Sequence, residues 1–372
     1  MHADTATVAL PGAVRSSYGR GDVEFVIADL GDFALETPLA EREARMQSGG
    51  HYSEVLPIEY VPSAAYQTLF REILASSAER VAFAVAVTAE RILARHGHDN
   101  IVVASLARAG TPIGVLLVRY WRNHHITIPH YTLSIVRGRG IDELAVTHIL
   151  NHHRGASIQF IDGWTGKGAI AAELATACAS AGAASGLDPT LAVVADPGHV
   201  STLYGTREDL LLPSACLNAT VSGLVSRTVC RPELTGGFHG AKFYAHLAGD
   251  DVSSLFVDTI EAAFPARADA AAAAAGLEQT VSPPAWLGRE CVTRIAQRYG
   301  ITDINLIKPG VGETLRVLLR RDPWRILVRS DRDPAITPIL ALAAEKNIDV
   351  VVWDDMTYLA CGLIKPASTA DA

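Results

Sequence analysis

At 372 residues, 49% hydrophobic and 19% charged, the chain has the material for two packed domains rather than one. Its formal charge of −8 is uneven: residues 285–365 hold 12 Lys/Arg against 10 Asp/Glu and the remainder holds 20 against 30, so an anionic partner is expected of the C-terminal part only. The cysteines, Cys178, Cys216, Cys230, Cys291 and Cys361, make no C-x-x-C pair, which argues against a disulfide framework or a structural zinc site. No run of about eighteen uncharged apolar residues could span a membrane. MHADTATVALPGAV has no basic stretch before an apolar one, so a cytoplasmic protein is expected.

In chain order, VEFVIADL (23–30) reads as a short strand. Residues 64–95 read as a helix with Val81, Val85, Thr88 and Ile92 on one inward line. Apolar strands at 101–106, 130–136, 157–162 and 191–196 then alternate with helices at 112–121, 142–152 and 169–181. That alternation predicts an α/β fold, a parallel sheet with helices on both faces, whose ligand site lies off the carboxyl ends of the strands. The Ala-rich PARADAAAAAAGLEQTVSPP (265–284) reads as a partly helical linker between a domain at 1–264 and one at 285–366. The second domain follows as helix 286–299, strand 304–308, helix 312–321, strand 325–330, helix 336–346, strand 349–354 and YLACGLI, a compact α/β/α module long enough to fold alone. Residues 367–372 read as a disordered tail.

Two Gly loops follow apolar strands and precede helices: SLARAGTPIG (105–114) and IDGWTGKG (161–168). Strand, Gly turn and helix N-terminus aim N–H groups and a positive dipole end at one point, which suits phosphate. In the first loop, Ser105, Ala107, Ala109 and Gly110 with the Arg108 cation suit a pyrophosphate. In the second, Gly163, Thr165, Gly166, Lys167 and Gly168 suit a terminal phosphate. Asp162 either accepts sugar hydroxyls or supports a hydrated Mg²⁺ through water, with no direct protein ligand to a metal.

Further polar residues sit in loops. Asp196, His199 and Arg207 (with Glu208 and Asp209) follow the last N-terminal strand and either recognise an acceptor or cap the fold. QSGGHYSE (47–54) and GFHGAKFY (237–244) place His51, Tyr52, His239 and Lys242 as a lid or acceptor site, with structural hydrogen bonding as the plainer reading. Cys216, with His199 or His239, is the one thiol set assembled for a cysteine protease, although its neighbours Ala215 and Leu217 read as core. His148, His152 and His153 lack a carboxylate or cysteine to complete a metal set and read as surface residues.

The order and spacing of the two loops resemble the type I phosphoribosyltransferases. The resemblance implies phosphoribosyl pyrophosphate (PRPP) and Mg²⁺ as ligands, with Ser105–Gly110 on the pyrophosphate, Asp162 on the ribose and Thr165–Gly168 on the 5′-phosphate. Arg137 and Arg139, in VRGRGID (136–142), would neutralise the departing pyrophosphate. The chain departs from that pattern in having one acid, Asp162, where the family has two, a spacing of three to Thr165, and Gly168 in place of Thr.

Over nearly the whole chain, SLARAGTPIG, FIDGWTGKGAI, GTREDLLLPSACLNATVSGLVSRTV and FHGAKFY resemble the phosphoribosyltransferase-like proteins of bacterial tellurium-resistance clusters, some of which carry the label cysteine protease StiP. In these, a Pelota-type domain of the L7Ae class follows, and LIKPGVGETLRVLLRR and YLACGLI fit it. The resemblance implies RNA contacts at Gly310, Gly312, Glu313 and Arg316, with Lys308, Arg320 and Arg321 beside them. The expected activity is transfer or removal of ribosyl-5-phosphate on an unidentified base-like acceptor. The alternatives are a non-catalytic nucleotide sensor or RNA binder, and a protease using Cys216. A second copy of the chain is a further candidate partner.

Overall fold

The computed structural model describes residues 9–38, 41–42, 45–46, 48–280 and 282–365. Gln47 and the tail expected at 367–372 lie outside the described residues. The first domain is built on a parallel sheet. Its strands are β1 (Glu24–Phe25), β2 (Ile101–Ala107), β3 (His130–Val136), β4 (Gly140–Ile141), β5 (Ser157–Trp164), β6 (Leu191–Ala195) and β7 (Tyr204–Thr206). Spatial order is β1-β3-β2-β5-β6-β7, all parallel, with β4 returning antiparallel on β3. β2, β3 and β6 are buried almost along their whole length because both faces of the sheet are covered.

The chain leaves β2 for β3 on one side and then crosses to β5 on the other. β2 and β5 are therefore adjacent strands at the switch point where α/β sheets open a crevice, and both Gly loops leave from it. One sheet face is covered by α1 (Ala64–His96) and α2 (Thr111–Asn123), the other by α3 (Glu143–His152) and α4 (Ala169–Ala179). Val81, Val85, Thr88 and Ile92 are all buried on α1.

Helix α5 (Ser253–Ala262) closes the first domain, and the Ala-rich stretch then forms an ordered helix, α6 (Arg267–Glu278). α6 buries Ala270 and Ala274, and its ends are pinned to α1 by Arg267–Glu90 (2.8 Å) and Glu278–Arg91 (2.7 Å). Small side chains let the two helices approach closely, and Arg91, only 1% exposed, spends its remaining donors on the carbonyls of Tyr204 and Thr202. Composition alone cannot tell such a helix from a spacer.

The second domain runs α7 (Leu287–Tyr299), β8 (Ile307–Pro309), α8 (Val311–Arg320), β9 (Pro323–Val328), α9 (Thr337–Glu345), β10 (Val350–Val352) and β11 (Ala360–Ile364). Its mixed sheet has the order β8-β11-β9-β10. It does not sit apart from the first domain. Leu315, Leu318 and Leu319 of α8 share one core with Leu211, Leu212 and Ala215.

Asp209 reaches into the second domain, where Val311 N–H donates to both carboxylate oxygens (3.0 and 3.1 Å) and Leu359 N–H to one (2.9 Å). The carboxylate thus caps the positive end of α8. Burial pushes it up to about 6, while the N–H groups of Val311, Leu359 and Ala360 oppose that rise. Asp209→Ala should orphan these buried donors at about 1–3 kcal/mol each, partly offset by removing a buried acid. A net loss of about 2 kcal/mol in chemical denaturation is expected; an unchanged midpoint would show that the cap does not hold the domains together.

Candidate functional site

The Gly loops touch. A Cβ on Gly110 would stand 2.6 Å from the Ile161 carbonyl oxygen and 2.8 Å from that of Leu106, so only glycine allows this approach. Ser105 nevertheless faces away from any ligand: its Oγ is buried, 2.8 Å from His130 Nε2. Burial pulls His130 down to about 4, and His130 Nδ1 lies 2.7 Å from the Asp22 carbonyl, so Nε2 is left to accept from Ser105. In the second loop Thr165 donates to buried Asp196 and accepts from Gly198 N–H (3.3 Å). Lys167 Nζ donates to the carbonyls of Ile304 (2.5 Å) and Ile307 (3.5 Å), bridging the domains, and burial with Lys308 and Arg137 lowers it to about 8. Gly168 lies under the ring of Trp286. The Thr165 hydroxyl and the Lys167 ammonium, expected on a 5′-phosphate, are therefore bonded to the protein itself.

The acceptor residues divide into two groups. Asp196 also accepts from Val200 and Ser201 N–H (both 2.9 Å) and from Arg207, which lies 3.8 Å over the Tyr204 ring. The His199 carbonyl takes Ala285 and Trp286 N–H where the chain enters the second domain. These three hold loops and the domain junction. His51, Tyr52 and His239 instead gather around the 136–142 loop. His51 Nε2 lies 3.1 Å from the Arg137 carbonyl, Tyr52 OH accepts from Arg137 N–H (3.0 Å), and His239 N–H donates to Asp142 (2.7 Å). Arg137 reaches Asn305 (3.2 Å) and Arg139 pairs with Glu54 (2.8 Å), so neither is a free cation.

A cleft of about 750 Å³ opens between the domains. The first domain contributes Arg42, Arg108 and Arg227, and the second Lys308, Arg316, Arg320 and Arg321, against two carboxylates, Glu59 and Glu313. Both acids are used: Glu59 pairs with Arg108 (2.6 Å) and Glu313 with Arg316 (2.9 Å). Burial alone would raise the Glu59 carboxyl, but Arg108 and the Ala219 N–H hold it below the usual range.

Arg227 has no hydrogen-bond acceptor for its guanidinium among the described residues. Water reaches the side chain through the cleft, yet enclosing protein, followed by Arg108 and Arg316, pulls it down to about 10. Arg320, bonded to the Cys216 carbonyl (2.8 Å), is also pulled down to about 10, by burial first and then by Arg316 and Arg108. Two recesses adjoin the cleft. One of about 270 Å³ holds the 162–168 loop and shares Lys308, Glu313 and Arg316; another of about 160 Å³ shares Arg108 and Arg227 and is lined by Tyr52 and Thr228. The pyrophosphate-loop arginine and the basic face expected to meet RNA thus form one surface. Gly310 and Gly312 do not join it: both are buried, against Asp209 and against Ala215 and Trp164.

Residues 16–261 match the family described as tellurite-like stress resistance cysteine protease StiP, and residues 286–366 match the PELOTA RNA binding domain. The chain belongs to the StiP family. It is 33% identical over 342 residues to a protein of Acinetobacter baylyi named Cysteine protease StiP, covering 88% of this chain and 89% of that one. Over 57 residues it is 40% identical to a Bacillus pumilus protein named RNA-binding protein, covering 14% of this chain and 70% of that one. These matches correct the expected phosphoribosyltransferase, because both the family and the A. baylyi relative are named for cysteine proteolysis.

The Mg²⁺ expectation also meets a poor donor set. Asp162 is the one acid of its loop, burial pushes it up to about 7 against a single Gly163 N–H, and no group of three or more His, Cys, Asp or Glu among the described residues is arranged to hold a metal ion. A carboxyl half protonated at neutral pH is a weak anchor for a hard cation.

The family name directs attention to the thiols, and all five cysteines are buried. Cys216 lines the cleft, but burial pushes it up to about 12 despite Arg320 and Arg316, and no histidine among the described residues lines the cleft with it. His239 spends Nδ1 on Ser134 Oγ (2.7 Å), and His199 lies at the domain junction. The expected Cys216 set is therefore not assembled. Cys230 is held beside Ser53, a partner of His51. Its N–H donates to the Ser53 carbonyl (2.8 Å), and Ser53 Oγ stands 2.8 Å from His51 Nδ1. Burial raises this thiol, with Ser53 and Arg139 opposing.

Sequence reasoning missed Arg227, Glu59 and Cys230. Arg227 did carry a signal, as the single charged residue between Asp209 and Arg231.

The Asp162 carboxyl gives a pH prediction. Its folded value near 7 lies above the ordinary 3.8, so the folded state holds the proton more tightly. That stabilisation is complete below 3.8 and is lost as pH rises through 7. Asp162→Asn should raise Tm at pH 8, by at most about 4 kcal/mol of stability, and leave it unchanged at pH 4; an equal effect at both pH values would refute the assignment.

Proposed function

We propose that the interdomain cleft binds single-stranded RNA, with cations of both domains on its phosphates. The observation that carries this reading is Arg227, a guanidinium with no acceptor among the described residues, standing where arginines of the two domains converge and lowered by burial, Arg108 and Arg316. Like charges held this close are tolerated where an anion completes them. Tyr60, 72% exposed on the cleft wall, adds an aromatic face for base stacking. The match of residues 286–366 to an RNA binding domain supports the choice of polymer. RNA enters by the Lys308–Arg321 side of α8, because Asp209 occupies its Gly turn.

Fluorescence anisotropy with a labelled single-stranded RNA tests this. Affinity should fall steeply with salt, Arg227→Ala should flatten the log–log slope by about one, and Tyr60→Ala should weaken binding by about 1–3 kcal/mol. Arg80→Ala, an exposed arginine paired with Glu208, should change neither. Equal binding by wild type and Arg227→Ala would sink the reading.

A second reading, thiol-dependent peptide hydrolysis, is favoured by the family name and by the backbone contact that sets Cys230 beside the Ser53–His51 pair. Its test is release of peptides from casein by the full-length protein, blocked by iodoacetamide.

A further inference from the structure

We propose that the recess beside Arg108 and Arg227 is a pocket for one base of the bound strand, met there by the hydroxyls of Tyr52 and Thr228; this rests on the RNA reading and names its base-binding residues. The recess holds about 160 Å³. Pockets for whole small ligands begin at roughly 300 Å³, so this one takes a single ring system rather than a nucleotide. It adjoins the cleft through Pro57, Arg108 and Arg227, which line both.

The sheet sets its position and its character. Ala107 and Val136 are the last residues of β2 and β3, neighbouring parallel strands, so the recess lies off their carboxyl ends. Ile135 and Val136 line it with apolar surface on that side, and Val55 and Pro57 add more. A phosphate set against these four would lose its hydration without compensation. The faces of a base lose little there, while the phosphate beside it stays with the cations shared with the cleft. Arg108 is already bonded to Glu59 and to the Val225 carbonyl (3.1 Å), which leaves Arg227 to take that phosphate.

A base also carries a polar edge that must find partners when it leaves water. The Tyr52 hydroxyl accepts from Arg137 N–H at 3.0 Å and keeps its own hydrogen to donate, with no acceptor for it among the described residues. The Thr228 hydroxyl has no hydrogen-bond partner among the described residues and can donate or accept. Both are fixed before a ligand arrives. The Tyr52 ring packs 4.5 Å from that of His51, whose Nε2 lies 3.1 Å from the Arg137 carbonyl, so the turn after β3 holds the pair. Thr228 precedes Val229, which exchanges both backbone hydrogen bonds with Gly240. Hydroxyls held this way lose little further freedom on binding, so their hydrogen bonds count toward affinity.

The pocket selects for single strands, because a base must leave its stack to enter. Tyr60, on the cleft wall, then stacks a neighbouring base.

The test uses the full-length protein and a short oligouridine RNA. When one uridine is replaced by 4-thiouridine and the complex is irradiated, the crosslink should map to the peptide bearing Tyr52 or Thr228. Tyr52→Phe and Thr228→Val should each weaken binding about fivefold, the size expected for one neutral hydrogen bond, and leave the slope of affinity against salt unchanged. Arg227→Ala differs, because it removes a phosphate contact and flattens that slope. Uridine monophosphate should compete far more weakly than the strand, since it forgoes all but one phosphate contact. Crosslinks confined to Tyr60 or α8, or unchanged affinity in both hydroxyl variants, would overturn the pocket and leave RNA binding in the cleft standing. Competition by uridine monophosphate as strong as by the strand would give the recess to a free nucleotide and overturn it as well. A strand that does not bind at any salt concentration would remove the RNA reading and the pocket together.

Discussion

One carboxylate organises this molecule. Asp209 leaves the end of the first domain's sheet and caps the N-terminus of α8 in the second, satisfying N–H groups of Val311 and Leu359 that burial would otherwise orphan. Because the helix end is fixed there, Leu315 and Leu318 pack into the same core as Leu211 and Leu212. The polar side of α8 is then turned toward Arg108 and Arg227. The cleft exists because the second domain is held against the switch point of the first sheet.

That docking explains the electrostatics. Arg108 and Arg316 each pair with a carboxylate, whereas Arg227 and Arg320 are pulled down by burial and then by Arg108 and Arg316. Such a cluster costs stability in the absence of an anion, and proteins keep that kind of cost where a ligand relieves it. The acids of the site behave oppositely. Glu59, beside Arg108, stays ionised, while Asp162, with one N–H and no cation bonded to it, is driven toward its neutral form. Position relative to arginine, rather than residue type, decides which carboxyl carries charge.

The two glycine-rich loops show how a motif can keep its geometry while its polar atoms are reassigned. Gly110 still permits the backbone contact between β2 and β5. Ser105, Thr165 and Lys167, however, are bonded to His130, Asp196 and the Ile304 carbonyl. A spacing pattern records where the backbone turns. It does not record which long-range partner has claimed a hydroxyl or an ammonium.

The sequence by itself determined the elements and their class. Apolar runs of strand length alternating with helical periodicity required a parallel sheet covered on both sides, and the Gly loops marked its open end. The family and the RNA-binding character of the second domain were also legible in local motifs, because those depend on near neighbours. Tertiary structure alone decided the rest: that the Ala-rich stretch packs on α1, that Gly310 and Gly312 face inward, that Arg227 has no acceptor among the described residues, and that the Cys230 N–H meets Ser53, the partner of His51. Each of these turns on a partner far away in the chain, Cys230 and Ser53 among them, and only packing brings such groups within hydrogen-bond reach.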